Sequence, residues 1–64
     1  QRRCLRAARP IAAGEVLTRD MIDVLRPASP GAIAPYEIDQ VVGTRAIVPL
    51  EMGQELRWTA LGQA

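Results

Sequence analysis

Arg6-Ala-Ala-Arg-Pro-Ile-Ala-Ala-Gly-Glu-Val-Leu17 is answered 39 residues later by Arg45-Ala-Ile-Val-Pro-Leu-Glu-Met-Gly-Gln-Glu-Leu56. Arg-Ala, Pro-aliphatic, Gly and Leu recur at the same offsets, and Ile22 carries the match on to Leu61. Proline presets φ at the entry to a turn. Glycine supplies positive φ where the backbone needs it, so the two types recur together for a conformational reason. The repeat predicts two similar strand–turn–strand units packed about an internal pseudo-twofold axis. Neither unit can bury its apolar side alone, so each must supply the core of the other.

The composition fits a mostly β fold with short helical turns. The chain has 64 residues, enough for a single domain spanning 1–64. A chain this short buries only ~60% of its unfolded surface, so its stability is narrow. Apolar residues make up 48% of it, too many for disorder, while Tyr36 and Trp58 are its only aromatics. The core must come from Val, Ile, Leu, Ala and Met. Eight arginines face seven acids, and this balance leaves no basic field to attract nucleic acid. None of the cations is lysine, a bias that a GC-rich genome alone would produce.

Several chemistries cannot be written at all. Histidine is absent and Cys4 is the only cysteine, so there is no disulfide, no His/Cys zinc set and no triad with a His base. Cys4 reads as a buried structural thiol. No apolar run approaches the ~20 residues of a membrane span. The chain opens at Gln1-Arg2-Arg3 without an initiator Met or a signal-like segment, which suggests a domain of a longer, cytoplasmic protein.

Strands are predicted over residues 4–8, 22–25 and 44–48, with 15–17 and 55–57 extended. Turns are predicted at 10–14 and 49–53. Thr18 is the expected N-cap of one helical turn and Trp58 opens another, and Trp58 is expected to cover one end of the core. The clearest helix signal covers 35–42: Pro35 at the first position, Glu37 in the first turn, Ile38, Val41 and Val42 on one stripe, and Gly43 at C′.

Between the two halves lies Leu25-Arg-Pro-Ala-Ser-Pro-Gly-Ala-Ile-Ala-Pro35, with three prolines and a glycine in eleven residues. It cannot be a regular helix or an interior strand, because proline lacks the N–H that both need. Arg26 opens this loop. It reads either as a solvated or ion-paired arginine at a strand end, or as a planar donor fork aimed at a carbonyl or carboxylate, stiffened by Pro27. The carboxylates Glu15, Asp20, Asp23, Glu37 and Asp39 read as surface, capping or Arg-paired groups, since none has a compelling acid–base partner.

Four elements in order carry a resemblance: Arg9-Pro-Ile-Ala-Ala-Gly-Glu-Val-Leu-Thr18, then Leu25-Arg-Pro27, then Gly31-Ala-Ile-Ala-Pro35, then Val42-Gly43 with Pro49-Leu-Glu-Met-Gly53. They resemble the SAF, or antifreeze-like, domain, and more narrowly the version at the C-terminus of sialic acid (N-acetylneuraminate) synthases. The loop is longer here than in that family, and Ala28 stands where glycine is usual.

The resemblance implies a β-clip fold of the type III antifreeze kind. It also implies a parent enzyme whose TIM barrel binds a divalent metal, Mn or Mg, and condenses phosphoenolpyruvate with N-acetylmannosamine or a related amino sugar. The SAF domain, itself without cofactor or catalytic residues, then caps the barrel of the other subunit in a domain-swapped homodimer. Arg26 matches the arginine that reaches the sugar's N-acetyl region, and Pro27, Gly31, Ile33 and Pro35 are candidates for the loop rim. The alternatives are a SAF domain of another parent, such as a sugar-acid dehydratase or a flagellar or pilus assembly protein, and an ice-binding protein. The charges at Glu15, Arg19 and Asp20 weigh against ice binding.

Overall fold

In the computed structural model, residues 2–63 are described. Strand β1, Cys4–Ala7, pairs antiparallel with β2, Ile22–Leu25, in the register Cys4↔Leu25 to Ala7↔Ile22. A 3-10 turn, Arg19–Met21, leads into β2. After the proline loop come a 3-10 turn, Pro35–Glu37, and a single turn of α-helix, α1, Ile38–Val41. Strand β3, Arg45–Ala46, pairs antiparallel with β4, Leu61–Gly62, and the 3-10 turn Trp58–Ala60 leads into β4. Among the described residues no helix is long and apolar enough to cross a membrane.

The second pair of strands stands to the first as the sequence repeat requires. Ile11 and Leu50, 39 positions apart, exchange both backbone hydrogen bonds at 2.8 Å. A residue can pair with its own counterpart in this way only where a twofold axis passes between them. The surrounding bonds obey the same exchange. The Ala7 N–H donates to Gln54 O and the Ala46 N–H to Glu15 O, both at 2.9 Å. The Leu56 N–H donates to Leu5 O at 2.9 Å and the Leu17 N–H to Thr44 O at 2.8 Å. The turn glycines Gly14 and Gly53 hold φ of +92° and +84°, a region that costs an L side chain strain. The two halves are therefore intertwined: each keeps its own two-stranded ladder, and backbone bonds at Ala7, Ile11, Leu17, Ala46, Leu50 and Leu56 run from one to the other.

The core follows from that interleaving. Ala7 and Ala46, Ile11 and Leu50, Leu17 and Leu56, Ile22 and Leu61 are all buried, as counterpart pairs. Ile33 and Val41 join them from the segment between the halves, and Ile38 and Val42 pack at the margin. This segment also breaks the symmetry at the backbone. On one side Ile33 both donates to Leu56 O and accepts from the Leu5 N–H, each at 2.9 Å. On the other side the two roles are split between Gly43, which donates to Leu17 O, and Val41, which accepts from Thr44. The chain entering β3 has the helix directly behind it. At β1, Ile33 crosses over from the proline loop to close that edge.

Three local expectations change. Residues 35–42 do not form one helix: Glu37, at φ −93° and ψ 7°, leaves the helical region, and its carboxylate turns back to accept the Ala34 N–H at 3.0 Å. The strand expected over 44–48 stops at Ala46, since Ile47 and Val48 bend outward ahead of Pro49 and remain 56% and 43% exposed. Trp58 is 41% exposed and stands outside the core. Thr18 does occupy the N-cap position, but its hydroxyl donates to the Asp20 carboxylate rather than to the backbone.

Because Ile11 and Leu50 are equivalent across the axis, Ile11→Ala and Leu50→Ala are expected to cost similar amounts, about 2–5 kcal/mol each. That is a large share of what a domain this small holds. Urea unfolding followed by far-UV circular dichroism measures both, and a loss confined to one position would contradict their shared role.

Candidate functional site

The proline loop has few bonds of its own. Its internal backbone bond runs from the Ala32 N–H to Ser29 O at 3.1 Å. This closes a turn with Pro30 second and Gly31 third at φ +90°, the type II pattern. The rest of the loop is held from outside by three charged side chains. Arg6 donates to Pro27 O at 2.6 Å. Glu55 accepts the Ser29 N–H at 3.0 Å. Arg57 donates to Pro30 O at 2.7 Å. The three also bind one another: Glu55 bridges Arg6 at 3.2 Å and Arg57 at 2.8 Å. The Cys4 thiol, fully buried as the sequence suggested, donates weakly to Pro27 O at 3.6 Å.

One member of this clamp belongs to the scaffold and two do not. Arg6 also donates to Gly53 O at 2.6 Å, and its counterpart Arg45 donates to Gly14 O at the same distance. The counterparts of Glu55 and Arg57 are Val16 and Thr18, which can hold nothing of the kind. The ion pairs are thus placed where the repeat is broken and where a loop must be fixed. The Glu55 side chain is only 13% exposed, so its pairing is screened less than that of a surface carboxylate. The other ion pairs are more open: Arg9 bonds Glu15, and Arg19 bonds Asp39.

The sequence-predicted residues fall at different depths on this loop. Arg26 is exposed just beyond β2, joined to Pro27 through a cis peptide, and among the described residues it has no hydrogen-bonding or ionic partner. Pro27 and Gly31 are exposed. Pro35 is half-buried at the head of its 3-10 turn. Ile33 is 1% exposed and anchors the loop from the core rather than lining an open rim. Residues 28–32 and Ala34 form one wall of a groove of about 380 Å³, and Arg2 and Arg3 form the other. Among the described residues no group of three or more His, Cys, Asp or Glu side chains comes together to hold a metal.

Sequence reasoning missed Arg6, Glu55 and Arg57 as the residues that shape the loop. The signal that could have found two of them is the repeat itself, which sets Glu55 opposite Val16 and Arg57 opposite Thr18.

Hydrogen bonds from Ser29, foremost, and then the Arg57 guanidinium hold the Glu55 carboxyl below its ordinary 4.5, outweighing desolvation. A carboxyl whose folded value is depressed stabilises the fold above its unfolded value, and that contribution is lost as pH falls through the folded one. The loop clamp is therefore expected to hold through pH 4.5 and to release only as pH falls through the lower folded value. The Ser29 amide resonance should titrate with a midpoint under 4.5, and Glu55→Gln should abolish the titration. A Ser29 amide indifferent to acid would rule the clamp out.

Gly31 gives a second check. A Cβ there would lie 2.5 Å from the Arg57 guanidinium, at a φ that already disfavours it. Gly31→Ala is expected to cost about 1–2 kcal/mol in thermal or urea unfolding. A variant as stable as the parent would show that neither constraint matters.

No curated protein matches the chain. The model of the SAF domain family matches residues 2–62, which covers both halves of the repeat, the clamped loop and the groove beside it. The chain belongs to the SAF domain family.

Proposed function

We propose that this SAF domain is the substrate-capping lid of a sialic-acid-synthase-like enzyme, which condenses phosphoenolpyruvate with N-acetylmannosamine or a related amino sugar. Family membership supports a SAF role in general. The Arg26-Pro27 and Gly31-to-Pro35 elements support this parent over other SAF-bearing proteins, which often lack such a loop. The β-clip fold is the finer architecture that goes with the reading, and the exchange-related hydrogen bonds of the two halves are consistent with it.

The observation that carries the proposal is the state of Arg26. It is exposed and without an internal partner among the described residues, yet it sits beside a backbone tied down at Pro27, Ser29 and Pro30. A guanidinium held this way keeps its donors for a ligand and loses less entropy when it binds. In the assembled enzyme it would donate to the acyl carbonyl of the amino sugar across the mouth of the neighbouring subunit's barrel. The loop would exclude water there. Condensation and its divalent metal, Mn or Mg, would belong to the barrel, and no step is assigned to side chains of this domain. The cytoplasm, where such a sugar-processing parent would act, remains part of the same proposal.

In the full-length enzyme, Arg26→Ala is expected to lower kcat/KM for the amino sugar by roughly tenfold to over a hundredfold, the loss of one charged hydrogen bond. Phosphoenolpyruvate binding should survive. Steady-state kinetics with both substrates reads this, and unchanged sugar kinetics would overturn the proposal.

A further inference from the structure

We infer that the groove between Arg2, Arg3 and the turn at 29–32 is a ligand site in its own right, one that takes a small carboxylate- or phosphate-bearing molecule. The site is separate from Arg26, which does not line the groove. The inference does not rest on the lid proposal.

The first support is a census of the cations. Five of the eight arginines have partners: Arg6 with Glu55, Arg9 with Glu15, Arg19 with Asp39, Arg45 with Gly14 O, and Arg57 with Glu55 and Pro30 O. Among the described residues Arg2, Arg3 and Arg26 have none. Two of these three share the groove, and no carboxylate lines it. Two carboxylates bond amides of the groove wall from behind: Glu55 takes the Ser29 N–H and is also paired with Arg6 and Arg57, and Glu37 takes the Ala34 N–H. Positive charge in a concave, uncompensated setting concentrates field and attracts anions.

The second support is the loop backbone. The carbonyls of Pro27 and Pro30 are occupied by Arg6 and Arg57. The N–H groups of Ala28 and Gly31, both in the groove wall, have no acceptor among the described residues. Two backbone donors of the wall are thus open beside the two arginines, and so are the carbonyls of Ala28, Gly31 and Ala32. The groove's far wall is small-residue backbone that a ligand can approach closely, fixed in place by the clamp. Two guanidinium forks opposite unfilled amides suit the planar or tetrahedral oxygens of a carboxylate or phosphate. At about 380 Å³ the groove falls within the ~300–1,000 Å³ of small-molecule sites, and toward the small end.

Titrating the isotope-labelled chain with inorganic phosphate, and separately with malonate, tests the site by amide NMR at ionic strength held constant with sodium chloride. Saturable shifts centred on Ala28, Gly31 and Ala32 are expected with one or both probes, and the better probe tells phosphate from carboxylate. The double variant Arg2→Ala, Arg3→Ala should weaken binding at least about tenfold, whereas Arg26→Ala should leave it unchanged. Both groove arginines are exposed and unpartnered, so the double variant should keep its fold, and an unchanged melting temperature verifies this. Shifts that never saturate, that chloride alone reproduces, or that persist in the double variant would each overturn the site. None of these readouts involves sugar turnover, so the lid proposal and the anion site can fail separately.

Discussion

Everything in this domain hangs on the reciprocal pairing of Ile11 with Leu50. Each half is too small to close a core. The mutual ladder along this axis lets Leu17 cover what Leu56 leaves open, and the reverse. Fixing the backbone costs about 1–2 kcal/mol per residue, which only a shared apolar interior can offset in so short a chain. Symmetry halves the design problem, because one turn chemistry, proline entering and glycine leaving, has to be solved once and is used twice. It also makes the halves interdependent, since the reciprocal backbone bonds about Ile11 and Leu50 belong to the interface between them rather than to either half.

A twofold scaffold has no preferred end. Its asymmetry comes from the segment between the repeats, and the means differ from those of the core. The core is held by apolar burial, while the proline loop is held by charge. Arg6, Glu55 and Arg57 grip three backbone atoms within four residues, at Pro27, Ser29 and Pro30. An exposed ion pair contributes little because water competes for both partners. Here Glu55 is mostly shielded and each arginine meets a backbone carbonyl as well as the carboxylate, so the bonds form a connected network. Prolines reduce what the network must do, since they restrict the unfolded loop before any contact forms.

The repeat made the fold legible. The equivalent positions 7 and 46, 11 and 50, 17 and 56, and 22 and 61 follow from one offset, and all of them are buried. That 11 and 50 pair with each other did not follow, since both fall in stretches that read as turns. Nor did element lengths. The 35–42 apolar stripe is genuine, with Val41 buried and Ile38 and Val42 beside it, but Glu37 spends its side chain on Ala34 and breaks the helix in two. Ile47 and Val48 look like strand and lie outside it, because β propensity says nothing about where a two-residue ladder must bend. The loop itself was identified, but not what holds it. That depends on contacts across 21 to 27 positions of sequence, visible beforehand only as two places where the repeat fails.

The arginine content illustrates how composition and structure divide the explanation. Base composition accounts for arginine being available, but not for its use at Arg6 and Arg57. Arg6 reaches Gly53 O, Pro27 O and Glu55 from one planar group, and Arg57 reaches Pro30 O and Glu55. A lysine is a point charge on a flexible stem and could not span these acceptors in a fixed fork, so the exchange would loosen the loop while leaving the charge intact. Likewise the net charge of +1 describes the sum and conceals the distribution. Glu15, Asp39 and Glu55 neutralise arginines within the scaffold and the loop clamp, and Arg2, Arg3 and Arg26, left without partners among the described residues, all lie where the proline loop meets the ends of β1 and β2. A chain that is nearly neutral overall thus carries a locally cationic end, and that end is the one whose backbone is most firmly fixed by side chains.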